Sequence, residues 1–269
     1  MRRGIRLGYG EKGGMVSGSS RVAVVSGGGT GIGRATAAAL AGDGMDVVIL
    51  GRREEVLRGA AEELNRDRAA AGGEVSWVRA DVSDPEQVGA AAGVIRERYP
   101  VVDAVVNNAG GSARKAGADL GELAGVWLEA YRTNVISAVL LTSALRPVLR
   151  RPGGRVIIVG SRAAATGGAS PAYVAAKAAL GGWVLSLAAQ LGPEGITANV
   201  VAPGYTAGTE LLTGRMPADR HERIVAGIAA GRAAQPEEVA AVIAFLAAAE
   251  SSYVSGQVIS VDGGARPAG

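Results

Sequence analysis

Short apolar runs rich in valine and isoleucine recur along the chain, each ended by glycine, proline or polar residues, with longer stretches of helical spacing between them. Seven such runs, at 21–26, 46–50, 75–79, 102–106, 155–159, 196–201 and 257–261, read as strands. Between the second and the third, Leu57, Ala60, Ala61 and Leu64 fall at i, i+3, i+4 and i+7, the apolar face of a helix that docks on a sheet. Pro85 opens another helix at a position where proline is tolerated, Pro236 starts the helix before the last strand, and Gly192-Pro193 stops the one that ends near Leu191. A long helical stretch from about 120 to 150 carries Asn134 in its middle. Strand and helix thus alternate from end to end. That predicts an α/β fold of one domain over 21–264, a doubly wound parallel sheet of about seven strands with helices on both faces and no linker or internal repeat. Residues 1–20 are Gly-rich, polar and aperiodic and are expected to form a disordered leader. Residues 205–235 hold no strand and one weak helix, and are expected to form a mobile cover.

Composition narrows the chemistry. The 269 residues can bury a substantial core, and 42 glycines with few aromatics favour close packing through small side chains. The absence of cysteine excludes disulfides, thiolate metal sites and cysteine nucleophiles, and a single histidine, His221, leaves no His-rich metal site, so no metal is expected. The net charge of +3 is spread without a basic block, which argues against a nucleic-acid surface. No apolar run reaches the roughly 18 residues of a membrane span, and the first residues lack a signal-type apolar core. Neither a membrane nor nucleic acid is expected as a partner, and the cytoplasm is the default location. Only three of the 28 basic residues are lysines, as though A- and T-rich codons were avoided, so a lysine that persists has the better claim to be needed. Lys177 is one of the three.

Candidate chemistry sits where strands end. The first strand runs into G-G-G-T-G-I-G and then a helix, a context in which glycines let the backbone approach a pyrophosphate and the helix N-terminus offers N–H groups and partial positive charge. The spacing is Gly27, Gly31, Gly33, not the commonest G-x-G-x-x-G; a turn that serves only packing is the other reading. The second strand is followed by Gly51-Arg52-Arg53, about where a dinucleotide fold chooses its cofactor: an acid bonds a ribose 2′-hydroxyl, whereas arginine accommodates a 2′-phosphate. NADP(H) is therefore favoured over NAD(H), although either arginine could be a solvated charge at a helix start. The fourth strand ends in the polar turn Asn107-Asn108-Ala109-Gly110-Gly111, again at a carboxyl end where ligands bind. The stretch from Ser161 to Lys177 contains Tyr173 and Lys177 four apart, on one face of a helix. A lysine ammonium beside a phenol favours the phenolate, which outlines a general acid/base site.

These motifs follow one another in an order and spacing that resemble the short-chain dehydrogenase/reductase family over about 21–264. They are S-G-G-G-T-G-I-G from Ser26, the acid Asp81 after the third strand, N-N-A-G, Asn134, a serine twelve residues before Tyr173, Y-x-x-x-K, N-V-V-A-P-G and the closing S-G-Q-V-I-S-V-D-G-G. Within the family the chain looks most like the reductases related to 3-oxoacyl-carrier-protein reductase. The resemblance implies a Rossmann-type fold, self-association, and reduction of a small-molecule ketone to a secondary alcohol by hydride transfer from NADPH. It also implies roles. Tyr173 would protonate the carbonyl oxygen, Ser161 would orient that oxygen, Lys177 would hold the nicotinamide ribose and lower the tyrosine pKa, and Asn134 would anchor a water feeding the lysine. Gly27, Gly31 and Gly33 would cradle the pyrophosphate, with Thr30 and Ile32 of the same turn also against the cofactor. Asp81 and Val82 would flank the adenine, and Asn108, Ala109 and Gly110 would line the middle of the cofactor. Pro203, Gly204 and Thr206 would meet the nicotinamide amide, with Thr209 as an alternative to Thr206. Ser170 is the lesser alternative to Ser161. The same site could run in reverse as an alcohol dehydrogenase, or the fold could bind NADP(H) without catalysis.

Other residues read more plainly. His221 reads as a surface or packing residue of the cover before a substrate contact, and Trp127 and Trp183 as core or interface anchors before substrate platforms. Arg114 and Lys115 read as solvated loop charges, with contact to an anionic substrate as the lesser alternative. Arg150 and Arg151 end a helix, where cations are favourable, with docking of an acidic acyl carrier protein as the lesser alternative. The last helix and strand are the expected contacts between copies.

Overall fold

The computed structural model describes residues 7–8, 20–67, 72–112, 117, 119–208 and 218–265. The apolar runs form strands β2 (Val22–Ser26), β3 (Asp46–Gly51), β4 (Val75–Arg79), β5 (Ala104–Asn107), β6 (Arg155–Val159), β7 (Thr197–Pro203) and β8 (Val258–Val261), all parallel. An eighth strand, β1 (Leu7–Gly8), pairs antiparallel with β4 at the sheet edge, so part of the stretch read as a leader belongs to the sheet. The order is β1-β4-β3-β2-β5-β6-β7-β8.

Successive residues of a strand point to opposite faces, and both faces are covered here. Val22 and Val24 enter one core with Ile95 of α3 (Pro85–Arg98), Leu141 of α5 (Ser137–Leu145) and Leu180 of α7 (Pro171–Leu191). Ala23 and Val25 enter the other core with Leu40 of α1 (Gly31–Gly42), Leu57 of α2 (Glu54–Asp67) and Ile243 of α9 (Pro236–Ala247). Helix α4 (Leu120–Tyr131) precedes α5, the single turn α6 (Ala163–Thr166) precedes α7, and α8 (Ala218–Ala226) lies in the cover. α7 is long and apolar enough to cross a membrane by length and composition, with a mean hydropathy of 1.4 over the span that includes it. It lies against the sheet instead, through Leu180, Val184, Leu187 and Leu191.

Two elements depart from the sequence reading. The stretch from 120 to 150 is not one helix: a π turn, Arg132–Ile136, separates α4 from α5, and a 3-10 turn, Arg146–Val148, ends it. The sixth expected strand does not break at Ala202 but runs through Pro203, which is paired with Val261. Proline is tolerated there because it is the last position of the strand, where its carbonyl is what matters; it accepts the Arg162 N–H at 2.9 Å.

Candidate active site

The chain turns back across the sheet between β2 and β5, which lie side by side, and the crevice beyond their carboxyl ends is where an open α/β sheet receives a ligand. Ser26 ends β2. Its Oγ accepts the N–H groups of Asn108 and Ala109, both at 3.0 Å. The Asn108 amide returns two bonds, donating to the carbonyls of Ser26 at 3.0 Å and Gly27 at 3.1 Å. Each bond contributes about 1 kcal/mol net, and together they brace the glycine turn against the N-N-A-G turn. The Asn108 side chain is thus a brace between the turns.

Within the glycine turn, Gly27 and Gly31 hold φ of +65° and +51°, left-handed backbone that suits glycine. Gly33 is needed for a different reason, since a Cβ there would stand 2.1 Å from the Gly27 carbonyl oxygen. Thr30 is the N-cap of α1 but its side chain makes no cap bond, and the first turn has no acidic residue. Free N–H groups and the helix dipole therefore face the crevice without competition. This bare cradle of backbone donors fits the pyrophosphate of a dinucleotide. Ile32 lies alongside, half-buried against the core.

Arg52 and Arg53 follow β3 and are exposed. The β3–β4 register sets Gly51 beside Arg79, and Arg79 Nε donates to the Arg52 carbonyl at 3.2 Å. A third guanidinium therefore stands at this corner. Reading the chain in order does not reveal it, because only the strand register brings Arg79 here. On the neighbouring loop, Asp81 Oδ1 accepts the N–H and hydroxyl of Ser83 at 2.9 and 2.7 Å, and Ser83 Oγ in turn accepts from Arg132. Val82 is buried in the core, so what it can offer a ligand is backbone.

Tyr173 and Lys177 share a face of α7 as their spacing predicts, with Lys177 Nζ 5.9 Å from the centre of the Tyr173 ring. Burial raises the Tyr173 pKa above its ordinary value, opposed by the Ser161 hydroxyl. Lys177 is itself only 6% exposed, and burial pulls its ammonium down to about 8. Its Nζ donates to the Val159 carbonyl at 2.8 Å. Ser161, which follows Gly160 after β6, is the serine that meets Tyr173. Ser170 sits at the N-cap of α7 with a buried hydroxyl that has no hydrogen-bond partner among the described residues.

Asn134 occupies the π turn, a distortion with no mark in the apolar spacing. Its Nδ2 donates to the carbonyls of Gly111 and Ala130 at 3.0 and 2.9 Å, and its Oδ1 accepts the Gly111 N–H at 3.2 Å. A Cβ on Gly110 would stand 2.8 Å from Asn134 Oδ1 and 3.1 Å from Lys177 Nζ. The amide, the ammonium and the N-N-A-G turn therefore meet around one glycine.

On the far side, Gly204 packs on Asp262, which pairs with Arg162 at 2.8 Å, so the residue after Ser161 ties the closing V-D-G-G segment to the site. Thr206 is buried, its hydroxyl donating to the Gly204 carbonyl at 3.3 Å; Thr209, Arg114 and Lys115 lie outside the described residues. His221 of α8 meets the Tyr205 hydroxyl through Nδ1 at 2.7 Å. Trp183 packs against the core, whereas Trp127 is exposed on α4. Arg150 pairs with Asp103 and Arg151 with Glu194, at the amino ends of the strands and away from Ser161.

The family model described as Enoyl-(Acyl carrier protein) reductase matches residues 27–266, nearly the whole chain. The chain is a short-chain dehydrogenase/reductase. Among its relatives, the short-chain reductase protein NovJ of Streptomyces niveus is 34% identical, over 90% of this chain and 93% of that protein. The cis-4-hydroxycyclohexanecarboxylate dehydrogenase of Sinomonas cyclohexanicum is 39% identical, over 91% and 96%. A solved actinorhodin polyketide ketoreductase with NADPH superposes with a TM-score of 0.79 at 30% identity, covering 93% of this chain and 98% of that one. This short-chain dehydrogenase/reductase is accordingly an oxidoreductase of the hydroxyl/ketone class.

Proposed function

We propose that the enzyme reduces a ketone to a secondary alcohol with NADPH, Tyr173 supplying the proton to the carbonyl oxygen. One observation carries the reading: the Tyr173 phenol stands beside the Ser161 hydroxyl and one helical turn from Lys177. Two hydroxyl groups then address one substrate oxygen, Ser161 orienting it and Tyr173 donating. When bound, the cofactor supplies the hydride. The glycine turn and the α1 N-terminus hold its pyrophosphate, and Arg52 faces its 2′-phosphate. The NADPH seen with the actinorhodin ketoreductase supports that choice of cofactor. An ammonium has three donors, and with one engaged on Val159, two remain for a ribose hydroxyl and a water. Asn134 Oδ1 retains one lone pair beyond its Gly111 bond, a seat for that water on the path by which Tyr173 regains its proton.

Pro203 and Gly204 close the nicotinamide end; of the cover and the 111–118 loop expected to shape the substrate pocket, residues 209–217, 113–116 and 118 lie outside the described residues. Exposed Phe245 on α9 and Val258 on β8 support contact between copies through the last helix and strand, beside a second exposed apolar stripe of Leu123, Trp127, Leu128 and Tyr131 on α4. The dehydrogenase named among the relatives favours a second reading, the same groups running from alcohol to ketone with Tyr173 as base.

The test is NADPH consumption across a panel of ketones, with alcohol formed in equal amount. Tight NADPH binding without turnover over the whole panel would instead favour a binding protein. The pH dependence follows from Lys177. Its pKa is lowered to about 8, so it is charged below that value and neutral above it, and the site needs the cation. The profile of kcat/KM for reduction is expected to be level at neutral pH and to fall above about 8, and an unbroken rate to pH 10 would contradict the role given to the ammonium.

A further inference from the structure

We infer that Arg79 is a second reader of the 2′-phosphate, working beside Arg52. The inference rests on the NADP(H) reading above and deepens it. Arg79 is exposed at the carboxyl end of β4 and reaches the Arg52 backbone with Nε, which leaves the forked end of its guanidinium for another partner. Among the described residues neither Arg52 nor Arg79 pairs with a carboxylate. Nearby arginines do: Arg34 pairs with Glu63, and Arg58 with Glu55 at the start of α2. The two residues are thus tied at one corner by a bond from the Arg79 side chain to the Arg52 backbone. Like charges so placed repel, and an anion set between them removes the repulsion. A phosphate monoester carries about −1.5 to −2 charge near neutral pH with three strong acceptor oxygens, and guanidinium forks match it bidentately. A bare ribose 2′-hydroxyl could accept a bond here but could not offset the charge. The chemistry of the corner is therefore that of a doubly charged anion rather than a neutral sugar edge.

The experiment measures binding, with no turnover needed. Titration calorimetry compares adenosine 2′,5′-bisphosphate with 5′-AMP, which differ only in the 2′-phosphate, on the parent protein and on Arg79→Ala and Arg79→Lys, each first shown by thermal melting to be folded. The parent is expected to prefer the bisphosphate. Arg79→Ala is expected to lose about tenfold in affinity for the bisphosphate, the scale of one charge-assisted contact, with 5′-AMP unchanged, and its salt dependence should flatten. Arg79→Lys should retain part of the preference. Equal weakening of both ligands would show that Arg79 only supports the backbone at Arg52, and would overturn the inference. Unchanged bisphosphate affinity in Arg79→Ala would overturn it too, while a parent that still prefers the bisphosphate leaves the NADP(H) reading standing. No preference in the parent would remove that reading and this one together.

Discussion

The Tyr173→Phe protein is expected to bind NADPH as the parent does and to reduce ketones about a thousandfold more slowly, within the range for loss of a general acid. Phenylalanine keeps the half-buried ring on α7 beside Lys177, so packing and the lysine's bond to Val159 survive. What disappears is the phenol hydroxyl beside Ser161. Ser161 alone is a poor replacement, because an aliphatic hydroxyl is a far weaker acid than a phenol. Fluorescence titration with NADPH and steady-state kcat separate the two effects: affinity should hold and kcat collapse. A kcat within tenfold of the parent would mean that another group delivers the proton.

Replacing Gly33 by alanine is expected to strike the other half of the site. The new Cβ would meet the Gly27 carbonyl oxygen at 2.1 Å and Asn108 Nδ2 at 2.5 Å, so either the glycine turn opens or the Asn108 brace lets go. Overpacking of this kind costs about 1–3 kcal/mol, and here the displaced atoms are those of the pyrophosphate cradle, so NADPH binding should fall by two orders of magnitude or more, about 3 kcal/mol. Gly42→Ala in the same helix is the control, since its Cβ would meet nothing within 4 Å. That variant should bind cofactor normally and melt no lower than the parent. If the two alanine variants behave alike, the close approach at Gly33 carries no functional weight.

The sheet was legible because its strands are separate apolar runs ended by glycine and proline, and Val75–Arg79 and Arg155–Val159 begin and end where the spacing puts them. The glycine turn and the Tyr173–Lys177 pair were legible as local patterns. What escaped were features made by register and packing. Arg79 reaches Arg52 only across paired strands. The π turn at Asn134 leaves helical spacing almost undisturbed, so the family resemblance alone points to that residue. The sense of the Tyr173 shift is set by burial, which the separation of two side chains along a helix does not report. Leu7–Gly8 joined the sheet from a stretch whose composition resembles a tail.

The most direct measurement is isotopic. The protein is given a ketone substrate with NADPH carrying deuterium at the transferred position, and the alcohol is weighed by mass spectrometry while cofactor oxidation is followed. One deuterium in the alcohol for each cofactor oxidised, abolished together in Tyr173→Phe, is the expected result. Alcohol without deuterium, or label transfer at the parent's rate in Tyr173→Phe, would contradict a hydride-transfer site built on Tyr173.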